Sequence, residues 1–291
     1  MWRQPPDSEQ GAISIVLRLT AIMLLLRPMG PWWVAPFILA IAGLALIFPR
    51  ILHAATSWYA LAILCALRIV FDWPLADNHV YLLTYWCLAV GLALGSERPT
   101  QVLGSSGRIL IGLAFLFAVV WKAGLSPDYL DGKFFQVTFL TDPRFEDITR
   151  LVGGLSAEQL NESREYLRPL PEGAEVFDGP RLHEPPAFTY LVFVSTWATL
   201  LIEALCALLF LAPLSTRYRL LRHLTLLLFC LATYAIAPVA GFGWLLLAMG
   251  LSIVDENARK IRTGYIVVWI LVLLYDGIPW SAMLVDLVAN P

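Results

Sequence analysis

Residues 108–125 read RILIGLAFLFAVVWKAGL, an apolar run with Arg108 at its start and Lys122 near its end. A helix needs roughly 20 residues to cross the hydrocarbon core of a bilayer, so this run has nearly the length of one crossing. It is the last of five apolar stretches between residues 13 and 125, and four more follow an acidic excursion over residues 126–187. The pattern indicates an integral membrane protein.

The composition supports the same class. Of the 291 residues, 59% are hydrophobic and 14% are charged, whereas a soluble globular chain carries about 25% charged residues. The net charge of −2, with no basic patch outside short loops, argues against nucleic acid as a partner. We expect residues 1–291 to form a single transmembrane bundle.

We predict an all-α fold, namely a polytopic membrane bundle of about nine transmembrane helices with a small extracytoplasmic insertion. Helices are expected because lipid leaves the backbone groups of an open sheet without partners. The ninth span contains Asp276, Gly277 and Pro279, so we expect a break there. The predicted spans cover residues 12–29, 31–48, 52–71, 79–95, 108–125, 189–213, 219–237, 240–255 and 264–285.

The loop charges predict an orientation. The insertion over residues 126–187, between the fifth and sixth spans, holds twelve acidic and six basic residues. The positive-inside rule therefore places the N-terminus in the cytoplasm, and the insertion and the C-terminus on the extracytoplasmic side. The cytoplasmic basic residues are then Arg3, Arg50, Arg98, Arg108, Arg217, Arg219, Arg222, Arg259, Lys260 and Arg262.

Part of the insertion reads as an amphipathic helix that begins after Ser156, which is a good N-cap residue. Its apolar side would consist of Leu155, Leu160, Tyr166 and Leu167. Two interpretations stay open, a lid over the outer face of the bundle and a connecting loop without a role.

Two ionisable residues are predicted at one membrane depth. Lys122 lies at the outer end of the fifth span and His79 at the outer start of the fourth. A hydrogen bond between them would position the lysine and help it to lose its proton. The alternatives are a lysine that extends to the headgroups and an Asn78-His79 pair that only caps the helix.

Three further charged residues lie within the spans. Glu203 in the sixth span and Arg18 in the first are at comparable depth, which predicts a structural ion pair, with proton or quinone handling as the alternative. Arg68 would pair with Asp72 or Asp77, or contact an anionic substrate. No pair of histidines has the spacing of metal ligands, so we assign no metal.

Two motifs carry a family resemblance. Residues 73–82 read WPLADNHVYL, and residues 125–132 read LSPDYLDG after an apolar helix that contains a lysine near its end. Together they resemble the transmembrane domain of the vitamin K-dependent γ-carboxylase and its bacterial relatives, the horizontally transferred transmembrane (HTTM) family. The motifs cover about twenty residues, and the predicted architecture is similar over most of the chain.

The resemblance implies a chemistry. In the carboxylase, a lysine takes a proton from reduced vitamin K, oxygen adds, and the strong base so formed removes the γ-proton of a glutamate, which captures CO2. By resemblance, Lys122 would be the catalytic base, His79 would assist it, and a reduced quinone would be the cofactor. The motif residues Asn78, Tyr81 and Asp128 would bind the substrate.

One departure concerns the lysine. In the family it directly precedes the leucine of the second motif, whereas here Gly124 holds that position and Lys122 comes two residues earlier. On an ideal helix this displacement rotates the side chain by roughly 200°. A local bulge would be needed to compensate.

Two classes of function remain open. One is a quinol-coupled oxidoreductase or carboxylase-like enzyme with an outward-facing pocket. The other is a non-catalytic lipid- or quinone-binding subunit, or a peptide-maturation factor, that works with a membrane-protein partner in the lipid bilayer. A transporter is disfavoured because the two halves of the chain show no repeat.

Overall fold

The first half of the chain folds into a series of helices, as the computed structural model shows. The structure describes residues 7–27, 30–74, 78–169, 182–213, 216–237, 239–255 and 258–289, and these ranges contain helices and no strand, which confirms the all-α class. The helices before the insertion are α1 (Asp7–Leu26), α2 (Ala35–Ile47), α3 (Pro49–Leu52), α4 (Ala55–Phe71), α5 (Asn78–Leu94) and α6 (Pro99–Val120), which continues as a π-helical turn, Trp121–Leu125.

The described part of the insertion consists of short helices joined by turns, and its residues 170–181 lie outside the described ranges. Ser156 caps the last of its helices, since Ser156 Oγ accepts from the Gln159 amide at 3.2 Å and Gln159 Oε1 accepts from the Ser156 amide at 2.9 Å. The predicted serine N-cap is confirmed. The elements are α7 (Pro127–Leu130), α8 (Lys133–Thr141), a 3₁₀ turn (Pro143–Phe145), α9 (Glu146–Leu151) and α10 (Ala157–Tyr166).

The insertion has a small core of its own, which also includes the start of the next long helix. Leu167 packs against this core, but Tyr166 is 55% exposed, so its predicted place on the apolar side was wrong. At 100° per residue, Leu167 returns to the face of Leu160 and Tyr166 does not. The buried members are Phe139, Leu140, Phe145, Leu155, Leu160 and Phe188.

Five helices follow the insertion. The predicted break in the last span is confirmed, because one helix ends at Gly277 and the next begins at Trp280. Pro279 between them has no amide hydrogen to continue the helix. These helices are α11 (Pro186–Leu211), α12 (Thr216–Ile236), α13 (Ala240–Leu251), α14 (Arg259–Gly277) and α15 (Trp280–Ala289).

Among the described residues, three helical segments are long and apolar enough to cross a membrane, namely Pro99–Leu125, Pro186–Leu211 and Tyr218–Ile236. They indicate a membrane protein. Five other predicted spans correspond to apolar helical segments of 10–17 residues in the described ranges, one of which is Gly11–Leu26 within α1. The longest of these segments is about 26 Å long, less than the roughly 30 Å of the hydrocarbon core, so length alone does not establish nine crossings.

One large apolar core joins the long helices. Along the chain α4 packs against α5, α5 against α6, and α6 against α11, while α1 packs against α2 and α13. The buried indole of Trp86 on α5 donates to Thr20 Oγ1 on α1 at 3.1 Å, and the indole of Trp58 donates to the Leu52 carbonyl at 2.8 Å. These bonds provide an acceptor for each indole N–H, which the apolar side chains around it cannot provide.

Gly250 marks the closest approach of α12, α13 and α14. A Cβ at this position would lie 2.5 Å from Tyr265 Cε1 and 2.8 Å from Leu226 Cδ2. The Tyr265 ring is buried, and its hydroxyl shares a 3.0 Å hydrogen bond with His223 Nδ1, so it has little room to move. We expect Gly250→Ala to lower the free energy of unfolding by about 1–3 kcal/mol through overpacking.

The measurement is the melting temperature of the purified chain in detergent. The matched control is Gly43→Ala on α2, where nothing lies within 4 Å of the added Cβ. Because alanine favours a helix over glycine by about 1 kcal/mol, the control should melt at the same or a higher temperature. Equal melting of the two variants would contradict the packing described for Gly250.

Candidate functional site

Two contacts define how α6 and α11 lie against each other. Almost halfway along α6, Arg108 Nη1 donates to the Phe210 carbonyl at 3.1 Å, and beyond the end of α6 Lys122 Nζ donates to Glu203 Oε1. Residue numbers rise along α6 as they fall along α11, so the two helices are antiparallel. Their contact brings a lysine from one apolar segment to a carboxylate on another.

The lysine lies in the π-helical turn Trp121–Leu125. Such a turn holds an extra residue relative to an α-helix, so it rotates the side chains around it, and π turns are frequent at functional sites. The sequence position of Lys122 called for a local bulge to compensate for its displacement, and the π-helical turn is such a bulge. Lys122 is directed toward α11.

The Lys122 ammonium and the Glu203 carboxylate form an ion pair with an Nζ–Oε1 distance of 2.5 Å, and their side chains are 20% and 9% exposed. Both residues belong to segments that are apolar and long enough to cross a membrane. A charge in such surroundings is costly unless an opposite charge accompanies it. The opposite charge of its partner therefore explains how each of the two residues is tolerated in an apolar segment.

Tyr129 completes the cluster from the insertion side. Its ring centroid lies 5.2 Å from Lys122 Nζ, within the range of a cation–π interaction. The next turn passes through Gly132, whose positive φ of 80° suits glycine and at which a Cβ would lie 3.0 Å from Val192 Cγ1. Burial, and then the nearby Glu203 carboxylate, raise the pKa of Tyr129, so its hydroxyl stays protonated at neutral pH.

One polar atom of this cluster lacks a partner. Glu203 Oε2 is buried and has no hydrogen bond within the described ranges, whereas the buried Tyr129 hydroxyl lies beside Thr199. A buried polar atom without a partner costs about 1–3 kcal/mol. The cluster therefore offers one free acceptor beside a cation, which is an arrangement suited to a ligand with a hydroxyl group.

The predicted ion pair between Arg18 and Glu203 was wrong. Glu203 pairs with Lys122, while Arg18 is exposed on α1. Helix α1 packs against α2 and α13, and α11 packs against α6 and α12. Equal depth along two helices does not make them neighbours, and these two are not.

The contacts of Lys122 in the described structure are the hydrogen bond to Glu203 and the ring of Tyr129, and the predicted hydrogen bond to His79 is not among them. Helices α5 and α6 do pack together, with His79 half-buried in the first turn of α5. In the same turn Asn78 is exposed and Tyr81 is half-buried. The structure does not bring these three residues into the cluster.

Of the other predicted binding residues, Arg68 donates through Nε to Asp72 Oδ2 at 2.9 Å, which confirms one of its alternative partners. Asp77, the other alternative, lies outside the described residues. Asp128 is 71% exposed and lies 3.3 Å from Lys133 Nζ, on the surface of the insertion. Neither Arg68 nor Asp128 contacts the buried cluster.

Two members of the cluster were not predicted in their roles. Tyr129 follows Asp128 in the second motif. The residue of that motif that contacts the lysine is the buried Tyr129 and not the exposed Asp128. Glu203 was recognised as a buried acid but was assigned the wrong partner. Over the residues that the structure describes, His, Cys, Asp and Glu side chains do not gather in groups of three, so we assign no metal site.

The ion pair yields a stability prediction. Lys122→Met or Glu203→Gln alone leaves one buried group uncompensated, which should lower the free energy of unfolding by about 3–5 kcal/mol. The double variant Lys122→Met/Glu203→Leu should recover most of that loss. Unfolding in detergent, followed by tryptophan fluorescence, measures all three.

Glu165→Gln is the matched control, because Glu165 and Arg168 form an exposed ion pair at 3.0 Å on the insertion. Exposed pairs contribute about 1 kcal/mol or less, so this variant should barely change stability. Simple additivity of the Lys122 and Glu203 effects would show that the two residues do not depend on each other.

Comparisons with known proteins add no relative. No protein-family model, curated protein or solved structure matches the chain. Roles for Lys122, Glu203 and Tyr129 therefore follow from their own geometry.

Proposed function

We propose that the chain is a multi-pass membrane enzyme, γ-carboxylase-like in the sense of the HTTM family, that removes a proton from a reduced quinone. The single observation that carries this proposal is the Lys122–Glu203 pair with its free acceptor, Glu203 Oε2. A hydroxyl donor is the partner that this oxygen lacks, and a quinol carries such donors on an apolar ring that fits a membrane.

The proposed step gives the two charged residues different roles. The O–H bond of the quinol breaks, the proton moves to Glu203, and the electron pair stays on the quinol oxygen. The ammonium of Lys122 then balances the new oxyanion in place of the carboxylate. Lys122 is thus the electrostatic partner and Glu203 the base, because Glu203 carries the oxygen that lacks a hydrogen-bond partner.

His79 has no part in this step. The role that the resemblance implies for it required contact with the lysine, and that contact is taken by Glu203. Tyr129 is the better candidate for orienting the substrate, since its hydroxyl is buried and protonated close to Glu203.

We place this site in a bundle of about nine crossings, with the N-terminus in the cytoplasm and the insertion and C-terminus outside. The three long apolar segments and the shorter apolar helices that share their core support this arrangement. The insertion would then serve as a lid, because Tyr129 within it contacts the buried lysine. A quinol in the outer half of the bilayer would reach the pair from the side.

The test is quinol oxidation by the full chain in proteoliposomes, with menadiol as the reduced quinone and dissolved oxygen as the acceptor. General base catalysis contributes about 10²–10⁴-fold, so Glu203→Gln should lower the protein-dependent rate at least about 100-fold. Glu165→Gln on the insertion is the control that should keep full activity. Unchanged turnover in a folded Glu203→Gln variant would rule out the proposed base.

A non-catalytic quinone-binding subunit is the second candidate, and the ion pair supports it because two buried opposite charges also serve as a structural contact between helices. The same free acceptor would then only hold the ligand. Wild-type protein that binds menadiol, measured by tryptophan quenching, but never oxidises it would favour this candidate. Recovery of a stable complex after mild detergent extraction would support it further.

A further inference from the structure

Two adjoining cavities lie at the end of the bundle opposite to Lys122. The first has a volume of about 390 Å³ and the second of about 750 Å³. Both are bounded by α6, the end of α13 and the start of α12, and Arg108, Arg219 and Asp255 line both. Their volumes fall within the roughly 300–1,000 Å³ of typical ligand pockets.

The cavity walls carry an excess of positive charge. Arg108, Arg219 and Arg222 line the first cavity, and Asp255 is the one carboxylate among its described lining residues. Asp255 is largely exposed and lies 3.9 Å from Arg219, which is a weak contact. The second cavity adds Arg98 and Glu97, which cancel each other. The described lining residues therefore leave a net charge of +2 in the first cavity and +1 in the second.

Arg222 is the most informative of these residues, because it is only 6% exposed. Its Nε donates to the Leu209 carbonyl at 2.8 Å, and Arg108 Nη1 donates to the Phe210 carbonyl at 3.1 Å. These carbonyls belong to the last turn of α11, where helical partners are absent. A guanidinium group has five N–H donors, and capping of α11 uses one donor of each arginine.

The remaining donors have a cost that capping does not offset. A buried arginine is stable when a carboxylate or another anion balances it. Within the described part of the chain, no carboxylate forms an ion pair with Arg222 or Arg108. The neighbouring guanidinium groups also repel one another, since Arg108 and Arg219 both act on Arg222. An anion in the cavity would remove both costs.

Neutral hydrogen-bond donors in the second cavity also favour an anion. Thr100 lines the second cavity, and its hydroxyl is buried without a hydrogen-bond partner in the residues described. It belongs to the first turn of the 22-residue helix α6, whose free amide groups favour negative charge. Ser105 also lines this cavity, one turn further along. Guanidinium, hydroxyl and amide donors together form a set that suits a phosphate group.

We propose that these cavities bind a phosphate group, supplied either by the headgroup of an anionic phospholipid or by a soluble phosphate compound. The site is separate from the Lys122 cluster and does not depend on the proposed enzyme function. Under the predicted orientation it faces the cytoplasmic leaflet, where anionic lipids are concentrated. The planar, multiply donating guanidinium group matches phosphate oxygens better than an ammonium does.

The test uses the full chain in detergent micelles and follows the melting temperature as a ligand is added, because a ligand of the folded state raises it. The probes are phosphatidylglycerol, phosphatidylcholine as its zwitterionic match, and glycerol 3-phosphate. The variants are Arg219→Gln and Arg108→Gln. Arg259→Gln is the control, since Arg259 is exposed at the same end of the bundle and lines neither cavity.

We expect phosphatidylglycerol or glycerol 3-phosphate to raise the melting temperature, with an apparent affinity about tenfold lower in each cavity variant and unchanged in the control. A response to the lipid alone identifies a headgroup as the source, and a response to glycerol 3-phosphate identifies a soluble compound. Arg219→Gln removes a largely exposed side chain, so its fold should survive even where Arg108→Gln does not.

Three results would overturn the proposal. The first is an equal response to phosphatidylglycerol and phosphatidylcholine. The second is a loss of affinity in Arg259→Gln as large as in Arg219→Gln, which would mean diffuse attraction and not a site. The third is the absence of any response to either phosphate probe.

Discussion

The ion pair between Lys122 and Glu203 is the constraint on which the arrangement of the bundle depends. An ammonium and a carboxylate inside apolar helices are each unfavourable alone, and together they are tolerated only at one relative position of α6 and α11. The contact of Arg108 with the end of α11 fixes the same two helices at their other end. Two polar contacts thus set a register that apolar packing alone would leave open to sliding.

The lengths of the apolar runs and the positions of turn residues predicted which segments are helices better than they predicted where each helix begins and ends. The long runs gave the positions of α1, α2, α4, α5, α6 and α11–α14, and the break before Trp280 followed from Gly277 and Pro279. Helix α6 begins at Pro99, nine residues before the predicted span, because polar residues can extend a helix beyond its apolar part. The number of membrane crossings depends on the bilayer as well as on the helix, so the sequence pattern could not fix it.

The candidate site was predicted only in part, for a geometric reason. Sequence gives the depth of a residue along its helix but not the direction in which its side chain points or which helix lies there. Lys122 and Glu203 were both recognised, yet Lys122 was paired with His79 and Glu203 with Arg18, each by depth alone. The π-helical turn at Trp121–Leu125 changes the direction of the lysine, and Tyr129 reaches it through a short helix that no periodicity predicts.

Helix α11 connects three parts of the molecule that otherwise lie far apart. Its 26 residues make a rod about 39 Å long. Phe188 near its beginning belongs to the core of the insertion, Glu203 stands about 22 Å further along, and the carbonyls that accept from arginines follow at its end. Because one helix carries all three, a tilt of α11 would shift the core of the insertion, the carboxylate and the wall of the first arginine-lined cavity together.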